Sequence, residues 1–307
     1  MHDDELPLTD ETVRALLRRD APELAHRPLQ RLDVVGSSNV LYRLGDDLVV
    51  RLPRQRGGSA SITAEATWSR WLAPRVAVAV PEVVVVGEPD AAYPERWSVV
   101  SWIEGETPAV PLPVGTSTTA FAVELGEVVR QLRALPVPPE AAADPALVSY
   151  RAGRLRDVRD EIDRWLARCH EVPGLELDLA AARRYWASTA ELPEPAVAPT
   201  WVHTDLLAEN VLVRGPDAQD RTLAGVLDLG GLAVGRPAVG PVGAWELFGP
   251  ADREVFRRTV GVGDDEWQVA RAWAFAIAVM TLPYYWRTMP RRCRHRLVAA
   301  RAVLDDV

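Results

Sequence analysis

The sequence is poor in the features that mark several large classes of protein. Its 307 residues include only two cysteines, Cys169 and Cys293, which are far apart and form no metal-binding pattern or disulfide framework. A reducing cytoplasm is therefore the expected setting. The N-terminal residues are acidic and lack the apolar run of a signal peptide. The most apolar long stretch, residues 273–286, is shorter than the roughly 20 residues that a membrane span needs, so no membrane partner is expected.

An excess of positive charge is also lacking. Lysine and arginine number 35 against 43 aspartates and glutamates, which gives a net charge of −8. Nucleic-acid binding depends on neutralising phosphates with basic side chains, so a nucleic-acid partner is not expected. Hydrophobic residues make up 48% and charged residues 25% of the chain, as is typical of globular proteins. The length suggests about two domains, and we expect a monomer or a weak homodimer.

The distribution of β-rich and helical segments predicts two lobes. Short β-rich runs separated by Gly, Asn and Asp fill the first hundred residues and favour an antiparallel sheet. These runs are residues 31–35, 40–44, 48–53, 83–87 and 97–103, with a helix inserted at 61–72. A Pro-, Gly- and Thr-rich stretch at 105–118 marks the boundary, and the pattern beyond it is mainly helical. We predict an α+β fold with a small antiparallel-sheet N-lobe, residues 1–104, and a larger helical C-lobe, residues 105–307.

Three polar residues surround a short hairpin predicted from residues 211–213 and 223–227. Asp205 precedes the hairpin, Asn210 stands at its start and Asp228 follows its end. Because Asn210 and Asp228 occupy the open end of the hairpin, we expect them to lie close together. Carboxylate and amide oxygens suit Mg²⁺, which keeps some of its waters. A second carboxylate, apart from the metal, can orient an acceptor hydroxyl and accept its proton, so the pattern predicts phosphoryl transfer.

The spacing of these residues matches a kinase motif. His203-x-Asp205-x₄-Asn210 fits the catalytic loop H-x-D-x-x-x-x-N, and Asp228-Leu229-Gly230 stands where kinases carry Asp-Phe-Gly. Read separately, His203 can be a core histidine, Asp205 a turn residue and Asn210 a helix cap. Their order along a predicted loop, hairpin and loop favours the kinase interpretation.

The chain resembles the aminoglycoside phosphotransferase family, a branch of the protein-kinase-like fold, and within it a bacterial subgroup of antibiotic kinases. The residues that carry the resemblance are 36–54, 93–102, 203–213, 228–231 and 282–285. The resemblance implies a two-lobed kinase-like fold, ATP or GTP and Mg²⁺ as cofactors, and a hydroxylated small molecule such as an aminoglycoside as acceptor. A macrolide, a peptide antibiotic or a metabolite alcohol is an alternative acceptor. A catalytically weak protein that binds nucleotide or ligand is an alternative of another class.

Carried over by position, the resemblance makes Asp205 the catalytic base and makes Asn210 and Asp228 the Mg²⁺ ligands. It assigns nucleotide binding to a loop of Gly36, Ser37, Ser38 and Asn39, to the charged pair Arg51 and Glu65, and to Ser101 and Ile103 beside the purine. Backbone N–H groups of a Gly/Ser turn can bind phosphate oxygens. Each of these features also has a plain structural interpretation: an ordinary hairpin turn, a surface arginine on an edge strand, and an edge strand.

The chain departs from the family pattern at four positions. Arg51 replaces the usual lysine, keeps its charge and can bind phosphate through two hydrogen bonds. Arg236 and Gly240 replace two aspartates, of which the second is expected to accept hydrogen bonds from the catalytic-loop backbone. Thr204 stands where glycine is frequent. We therefore expect either that other groups hold the loop or that activity is reduced.

The residues that bind the acceptor stay unknown from the sequence. Two groups of acidic residues are candidates: Asp157, Asp160, Glu161 and Asp163, and later Glu246, Asp252 and Glu254. The first group alternates with arginines, which is typical of a solvated helix face.

Overall fold

The computed structural model describes residues 5–32, 38–111, 118–194, 196–215 and 221–306. The chain forms two compact units. The first consists of Met1–Glu104 together with Leu227–Gly230, and the second of Gly105–Val226 together with Gly231–Val307. The short segment that carries Asp228 therefore belongs to the same unit as Arg51.

The first unit is built on a five-stranded antiparallel sheet. Its elements are α1 Asp10–Asp20, β1 Leu29–Arg31, β2 Asn39–Leu44, β3 Leu48–Pro53, α2 Ser59–Leu72, β4 Val83–Gly87 and β5 Trp97–Ser101. The strand order is β1-β2-β3-β5-β4. Every residue of β3 is buried, because this strand has neighbours on both sides and helices cover the sheet.

The core of the first unit lies between α1 and the sheet. Val13, Leu16 and Leu17 of α1 pack with Tyr42, Val50, Trp97 and Val99 of the strands. The Thr9 hydroxyl accepts a hydrogen bond from the Thr12 backbone N–H at 3.1 Å and caps α1, a role that threonine commonly takes at the start of a helix. Between β2 and β3, Gly45 has φ +63°, a left-handed conformation that glycine adopts without steric cost.

The second unit is mainly helical. Its elements are α3 Thr119–Ala134, α4 Pro139–Ala142, α5 Arg159–Arg168, α6 Leu179–Ser188, β6 Thr200–His203, β7 Val211–Arg214, β8 Thr222–Val226, β9 Leu232–Gly235, α7 Ala244–Leu247, α8 Pro250–Val260, α9 Asp264–Tyr285 and α10 Pro290–Asp305. The apolar helix α9 is largely buried and packs against α10 and α5. None of the helices in the described part of the chain combines the length and apolar character that crossing a membrane needs.

The sheet-rich first unit and the helical second unit confirm the predicted α+β class. The hairpin predicted around residues 211–227 is present as β7 and β8, with Val211 paired to Val226. The ribbon formed by β6 and β9 was not predicted. Its register pairs Thr200 with Gly235 and His203 with Leu232. Because β7 and β8 lie between these two strands in the sequence, no short turn connects them and no local pattern predicts their pairing.

Two strand assignments differ from prediction. The first strand runs from Leu29 to Arg31, two residues earlier than predicted, and residues 33–35 lie outside the described part of the chain. The strand that ends at Ser101, β5, lies between β3 and β4, so the interpretation of this segment as an edge strand is wrong.

Candidate active site

Three of the predicted site residues meet in the first unit. Arg51 projects from β3, and its guanidinium forms ion pairs with Glu65 of α2 and with Asp228, where Nη2 lies 3.0 Å from Oδ1. Arg51 and Glu65 are 7% and 3% exposed. The predicted pairing of Arg51 with Glu65 is confirmed, and the alternative of a surface arginine on an edge strand is wrong.

The Arg51–Glu65–Asp228 triad contains two carboxylates and a single guanidinium. Burial lowers the pKa of Arg51, but the two carboxylates outweigh it and raise the pKa above its ordinary value. The guanidinium therefore stays charged, and two carboxylates face one cation. The side chain of Asp228 is 41% exposed, so the triad offers carboxylate surface to a further cation. The chain contains no lysine at all, so arginine supplies this charge.

The backbone around Asp228 is specialised. Asp228 has φ +56° and is the one non-glycine residue with positive φ in the described ranges. An L-residue pays about 1 kcal/mol or more for this conformation, and such strain is concentrated at functional sites. A Cβ on Gly230 would lie 2.8 Å from Ser61 Oγ and 3.3 Å from Asp228 Oδ1. A side chain two residues after Asp228 would therefore force the Ser61 side chain to move, and the glycine of the predicted Asp-Leu-Gly motif avoids this.

The start of α2 is fixed by a carboxylate. Glu95 accepts hydrogen bonds from the backbone N–H groups of Gly57 and Ser59, both at 2.8 Å, and from the Ser59 hydroxyl at 2.5 Å. An anion at this end of a helix also interacts favourably with the helix dipole. This contact sets the position of the helix that carries Glu65.

The other predicted nucleotide-binding residues of this unit are only partly covered. Gly36 and Ser37 lie outside the described residues. Asn39 begins β2 opposite Pro53, and the carbonyl of Ser38 accepts the Arg54 backbone N–H at 2.8 Å. The hydroxyl of Ser101 accepts the Glu82 backbone N–H at 2.9 Å, and Ile103 follows the end of β5. Their assignment to nucleotide binding stays a prediction.

In the second unit, Asp205 and Asn210 are bonded to each other. The Asn210 amide nitrogen donates to the backbone carbonyl of Asp205 at 2.8 Å and to its Oδ2 at 3.0 Å. The other carboxylate oxygen, Oδ1, accepts a hydrogen bond from Arg151 Nη1 at 2.5 Å. Because each carboxylate oxygen has two acceptor positions, this pair of bonds leaves room for an acceptor hydroxyl. The Asp205 side chain is 27% exposed.

The charge state of Asp205 follows from its neighbours. Burial raises the pKa of this carboxyl, but the positive charges of Arg151, Arg296 and Arg292 outweigh burial and lower the pKa to about 2. The carboxylate is therefore ionised at neutral pH and accepts hydrogen bonds. A carboxylate of such low basicity orients a hydroxyl more effectively than it removes the proton, which agrees with the dominance of positioning in phosphoryl transfer.

Residues on either side of Asp205 hold it in place. His203 is buried, and its Nδ1 accepts the Asp205 backbone N–H at 3.2 Å, so in neutral His203 the proton is on Nε2. The Thr204 backbone N–H and hydroxyl both donate to the Gly231 carbonyl, at 2.8 and 3.0 Å. A threonine at the position where the family frequently has glycine is thus accommodated by an additional hydrogen bond.

The catalytic loop, residues 203–210, is bonded by a glutamate from another position in place of an aspartate at position 240. Gly240 is buried in a 3₁₀ segment, Pro237–Gly243, and Arg236 pairs with Glu194 at 3.6 Å. Instead, Oε1 of Glu246 accepts the Ala208 backbone N–H at 2.8 Å. The expectation that other groups hold the loop is therefore confirmed for this contact.

Two candidate acceptor-pocket acids have structural roles instead. Glu246 is 3% exposed and is used in the loop contact. Asp252 accepts hydrogen bonds from the Thr118 backbone N–H at 2.7 Å and from the Thr119 hydroxyl at 2.6 Å, before the start of α3. Both residues lie in the interior because their charges are matched by donors.

Sequence reasoning missed Arg151, which bonds the predicted catalytic base. Arg151 lies in a short 3₁₀ turn, Tyr150–Ala152, and precedes Asp205 by 54 residues. No motif marks this turn. The concentration of arginines between positions 291 and 296 was the one available signal that positive charge gathers near the loop.

Comparison with solved structures shows the same fold. The chain superimposes on the GDP complex of wild-type aminoglycoside 2'-phosphotransferase-IIIa with a TM-score of 0.72 and 17% identity, covering 98% of this chain and 100% of that one. The streptomycin–ATP complex of APH(2'')-IIa gives a TM-score of 0.62 and 16% identity, covering 95% and 99%. Macrolide 2'-phosphotransferase MphH from Brachybacterium faecium gives a TM-score of 0.60 and 24% identity, covering 95% and 97%.

The comparisons with sequences differ in outcome. A search of curated proteins found no significant match. The profile of the phosphotransferase enzyme family matches residues 30–273, which is most of the chain and includes both the Arg51 triad and the Asp205 loop. The predicted resemblance and the kinase-like fold are thereby confirmed. The chain belongs to the phosphotransferase enzyme family and is a phosphotransferase.

Proposed function

We propose that this phosphotransferase transfers the γ-phosphoryl group of ATP or GTP to a hydroxyl group of an aminoglycoside-like antibiotic and thereby confers resistance. The observation that carries the proposal is the state of Asp205, an ionised carboxylate bonded on one oxygen by Arg151 and on the other by Asn210. This arrangement fixes the carboxylate and leaves lone pairs for an acceptor hydroxyl.

Asp205 acts as the catalytic base in this proposal. It binds the acceptor hydroxyl, points its oxygen at the γ-phosphorus and takes the proton once the new bond has largely formed. A pKa of about 2 makes early proton removal unfavourable. A late transfer fits a loose transition state, in which the attacking hydroxyl loses little proton character.

Asn210 and Asp228 are the proposed Mg²⁺ ligands. The Asn210 amide nitrogen faces Asp205, so its amide oxygen is turned away from the base and suits a hard cation. The Asp228 carboxylate is partly exposed and carries more charge than Arg51 alone neutralises. Oxygen donors of this kind fit Mg²⁺, which when bound would neutralise charge on the nucleotide phosphates.

Nucleotide binding is proposed for the first unit. Arg51, fixed between Glu65 and Asp228, would contact the phosphates, with the segment Gly36–Asn39 over them and residues Ser101 and Ile103 beside the purine. This proposal is supported by similar solved structures, one with GDP and one with ATP and streptomycin. The buried ion pair of Arg51 and Glu65 gives the guanidinium one orientation before the nucleotide arrives, which reduces the entropic cost of binding.

A second acceptor class is favoured by the charges around Asp205. Arg151, Arg292 and Arg296 lie close enough to lower the pKa of Asp205. The negative charge of the ionised carboxylate is therefore already balanced by arginines before an acceptor binds. A polycationic aminoglycoside gains little attraction from a neutralised carboxylate. An acceptor with few positive charges, such as a macrolide, does not depend on electrostatic attraction to this carboxylate. A macrolide 2'-phosphotransferase is among the similar structures.

The proposal is tested by following Mg²⁺-dependent consumption of ATP and GTP with aminoglycosides, macrolides, peptide antibiotics and metabolite alcohols as acceptors. We expect at least one acceptor to stimulate consumption and to be recovered as a phosphate ester. The Asp205→Ala variant should bind nucleotide with unchanged affinity and show no stimulation. If nucleotide binds but no acceptor is phosphorylated, the protein is a kinase-like binding protein and the proposed function is wrong.

A further inference from the structure

The segment between the proposed base and the proposed metal ligand is bonded by buried charged side chains. This segment, Leu206–Glu209, joins Asp205 to Asn210. The family pattern leads one to expect an aspartate at position 240 as its anchor, and glycine stands there. Two of the four residues, Ala208 and Glu209, are instead bonded by side chains from α7 and α10.

Glu246 provides the contact to the backbone. Its Oε1 accepts the Ala208 N–H at 2.8 Å, and its side chain is completely buried. Its other oxygen, Oε2, forms an ion pair with Arg296. Arg296 also bonds Oε1 of Glu209 at 2.6 Å, and Arg292 reaches the same oxygen at 2.9 Å. One continuous network therefore holds two successive residues of the loop, one by its backbone and one by its side chain.

The charge state of the network supports this description. Burial lowers the pKa of Arg296, but Glu246 and Glu209 outweigh it and raise the pKa above the ordinary value. Burial also raises the pKa of Glu246, against the opposing charge of Arg296. Arg296 therefore remains a buried cation bonded to the carboxyl groups of Glu246 and Glu209. Removing one partner of such a pair leaves the other buried and unpaired, which is strongly unfavourable, so the network resists rearrangement.

The position of the network matters for the chemistry. Asn210 follows Glu209 directly and bonds both the carbonyl and the carboxylate of Asp205. Any movement of Ala208 or Glu209 therefore changes the placement of Asn210 against Asp205. We propose that Glu246, held by Arg296, positions the catalytic loop and takes the place of the anchor aspartate that is absent at position 240. The inference rests on the proposed function only in that Asp205 and Asn210 are the reacting and metal-binding groups.

A metal ion is the competing explanation for this cluster. Glu209, Glu246 and His295 each bring a ligand atom within 4.8 Å of the others. However, the guanidinium of Arg296 already bonds one oxygen of each carboxylate, and a divalent cation would have to displace it. The buried ion pairs therefore favour the anchoring role, and metal binding becomes one outcome of the test.

The test uses two variants that remove the same bond from opposite sides. Glu246→Ala removes the acceptor. Ala208→Pro removes the donor and leaves the Glu246–Arg296 pair intact. The backbone conformation accepts proline there, because Leu207 is extended and Ala208 begins a 3₁₀ turn. Ala208 is fully buried, so the stability of this variant is measured alongside. Glu246→Gln keeps an acceptor for Ala208. Glu266→Ala is the matched control, since Glu266 pairs with Arg133 on α3 at 3.0 Å and does not touch the loop.

The readouts are amide hydrogen exchange of the peptide spanning residues 204–212 and the rate of Mg²⁺-dependent nucleotide consumption. Loss of a hydrogen bond to a charged group corresponds to about a 10- to 100-fold change in the equilibrium constant for local opening. We expect exchange in this peptide to rise by that factor in Glu246→Ala and Ala208→Pro, and kcat to fall by a similar factor. The KM for nucleotide should change less than about 3-fold. Glu246→Gln should recover part of the protection from exchange, because its amide oxygen can accept the Ala208 N–H but its amide nitrogen cannot accept from Arg296. Glu266→Ala should change neither readout.

The outcomes separate the possible failures. If Glu246→Ala is too unstable to measure, Ala208→Pro alone decides the question. If exchange in residues 204–212 is unchanged in a folded variant, the anchoring role is wrong whatever the activity. If Zn²⁺, Mn²⁺ or Ca²⁺ protects the peptide in the wild type but not in Glu246→Ala, the cluster is a metal site and the proposal is overturned. If exchange rises as expected but the wild type phosphorylates no acceptor, the anchor stands and the proposed function fails.

Discussion

Replacing Arg151 by glutamine should raise the pKa of the proposed base, Asp205, without changing the Asp205 side chain itself. Arg151 Nη1 lies 2.5 Å from Asp205 Oδ1. At a charge separation of about 4 Å and an effective dielectric constant near 20, the attraction amounts to about 4 kcal/mol, or about three pKa units. Water screens part of it, because both side chains are about a quarter exposed. We expect the pKa of Asp205 to rise from about 2 by one to two units, to between about 3 and 4.

This shift is visible in a pH–rate profile. The wild type should show constant kcat/KM between pH 8 and pH 5, because Asp205 stays ionised. In Arg151→Gln, protonation of Asp205 should begin to lower kcat/KM below about pH 5. Arg133→Gln, which breaks the pair with Glu266, is the matched control and should keep the wild-type profile. An acid limb at the same pH in wild type and Arg151→Gln would refute the assignment of Arg151 as the group that lowers the pKa.

The same ion pair should make stability depend on pH. The pKa of Asp205 is lower in the folded protein than in the unfolded chain, so its contribution is complete above pH 4 and is lost as the pH falls toward 2. The difference in free energy of unfolding between wild type and Arg151→Gln should therefore shrink over that range. Urea unfolding at pH 7 and pH 3 measures it, and a difference that is equal at both values would contradict the linkage.

Three further substitutions test other parts of the site. Arg51→Lys keeps a charge but cannot bond two carboxylates in the same way, so the Kd for nucleotide should rise about 10-fold; titration with ADP and GDP measures this Kd, and unchanged affinity would exclude a role for the guanidinium. Asn210→Ala should raise the Mg²⁺ concentration for half-maximal rate by about 10-fold or more, measured by metal titration; an unchanged value would remove Asn210 from the metal site. A Cβ on Gly243 would lie 2.2 Å from the Leu206 carbonyl, so Gly243→Ala should cost about 1–3 kcal/mol and lower the melting temperature by several degrees; an unchanged melting temperature would show that the loop can shift freely there.

Local patterns in the sequence were enough to predict part of the site. The spacing of His203, Asp205 and Asn210 was informative because one short loop carries all three. The pairing of Arg51 with Glu65 was predicted from the family resemblance, in which a basic residue of the third strand pairs with a glutamate of the following helix. The hairpin β7–β8 was predictable because its strands are consecutive.

The remaining part depends on contacts between distant segments. Arg151 reaches Asp205 across 54 residues and Glu246 reaches Ala208 across 38. Neither contact leaves a periodic or motif signal. The sequence offered Glu246 only as one of several candidate acids of the acceptor pocket, and acidic side chains are usually exposed. Its burial depends on Arg296, fifty residues further along the chain.

The most direct test of the central claim is acceptor-dependent phosphorylation by the wild type and by Asp205→Asn. This substitution keeps the size of the side chain but removes its charge and one of the two oxygens that accept hydrogen bonds from Arg151 and Asn210. We predict that the wild type forms a phosphate ester on a hydroxyl of a small-molecule acceptor in the presence of Mg²⁺ and ATP or GTP. Asp205→Asn should bind nucleotide equally well and lose at least about two orders of magnitude in kcat. Equal rates in the two proteins would contradict the assignment of Asp205 as the catalytic base.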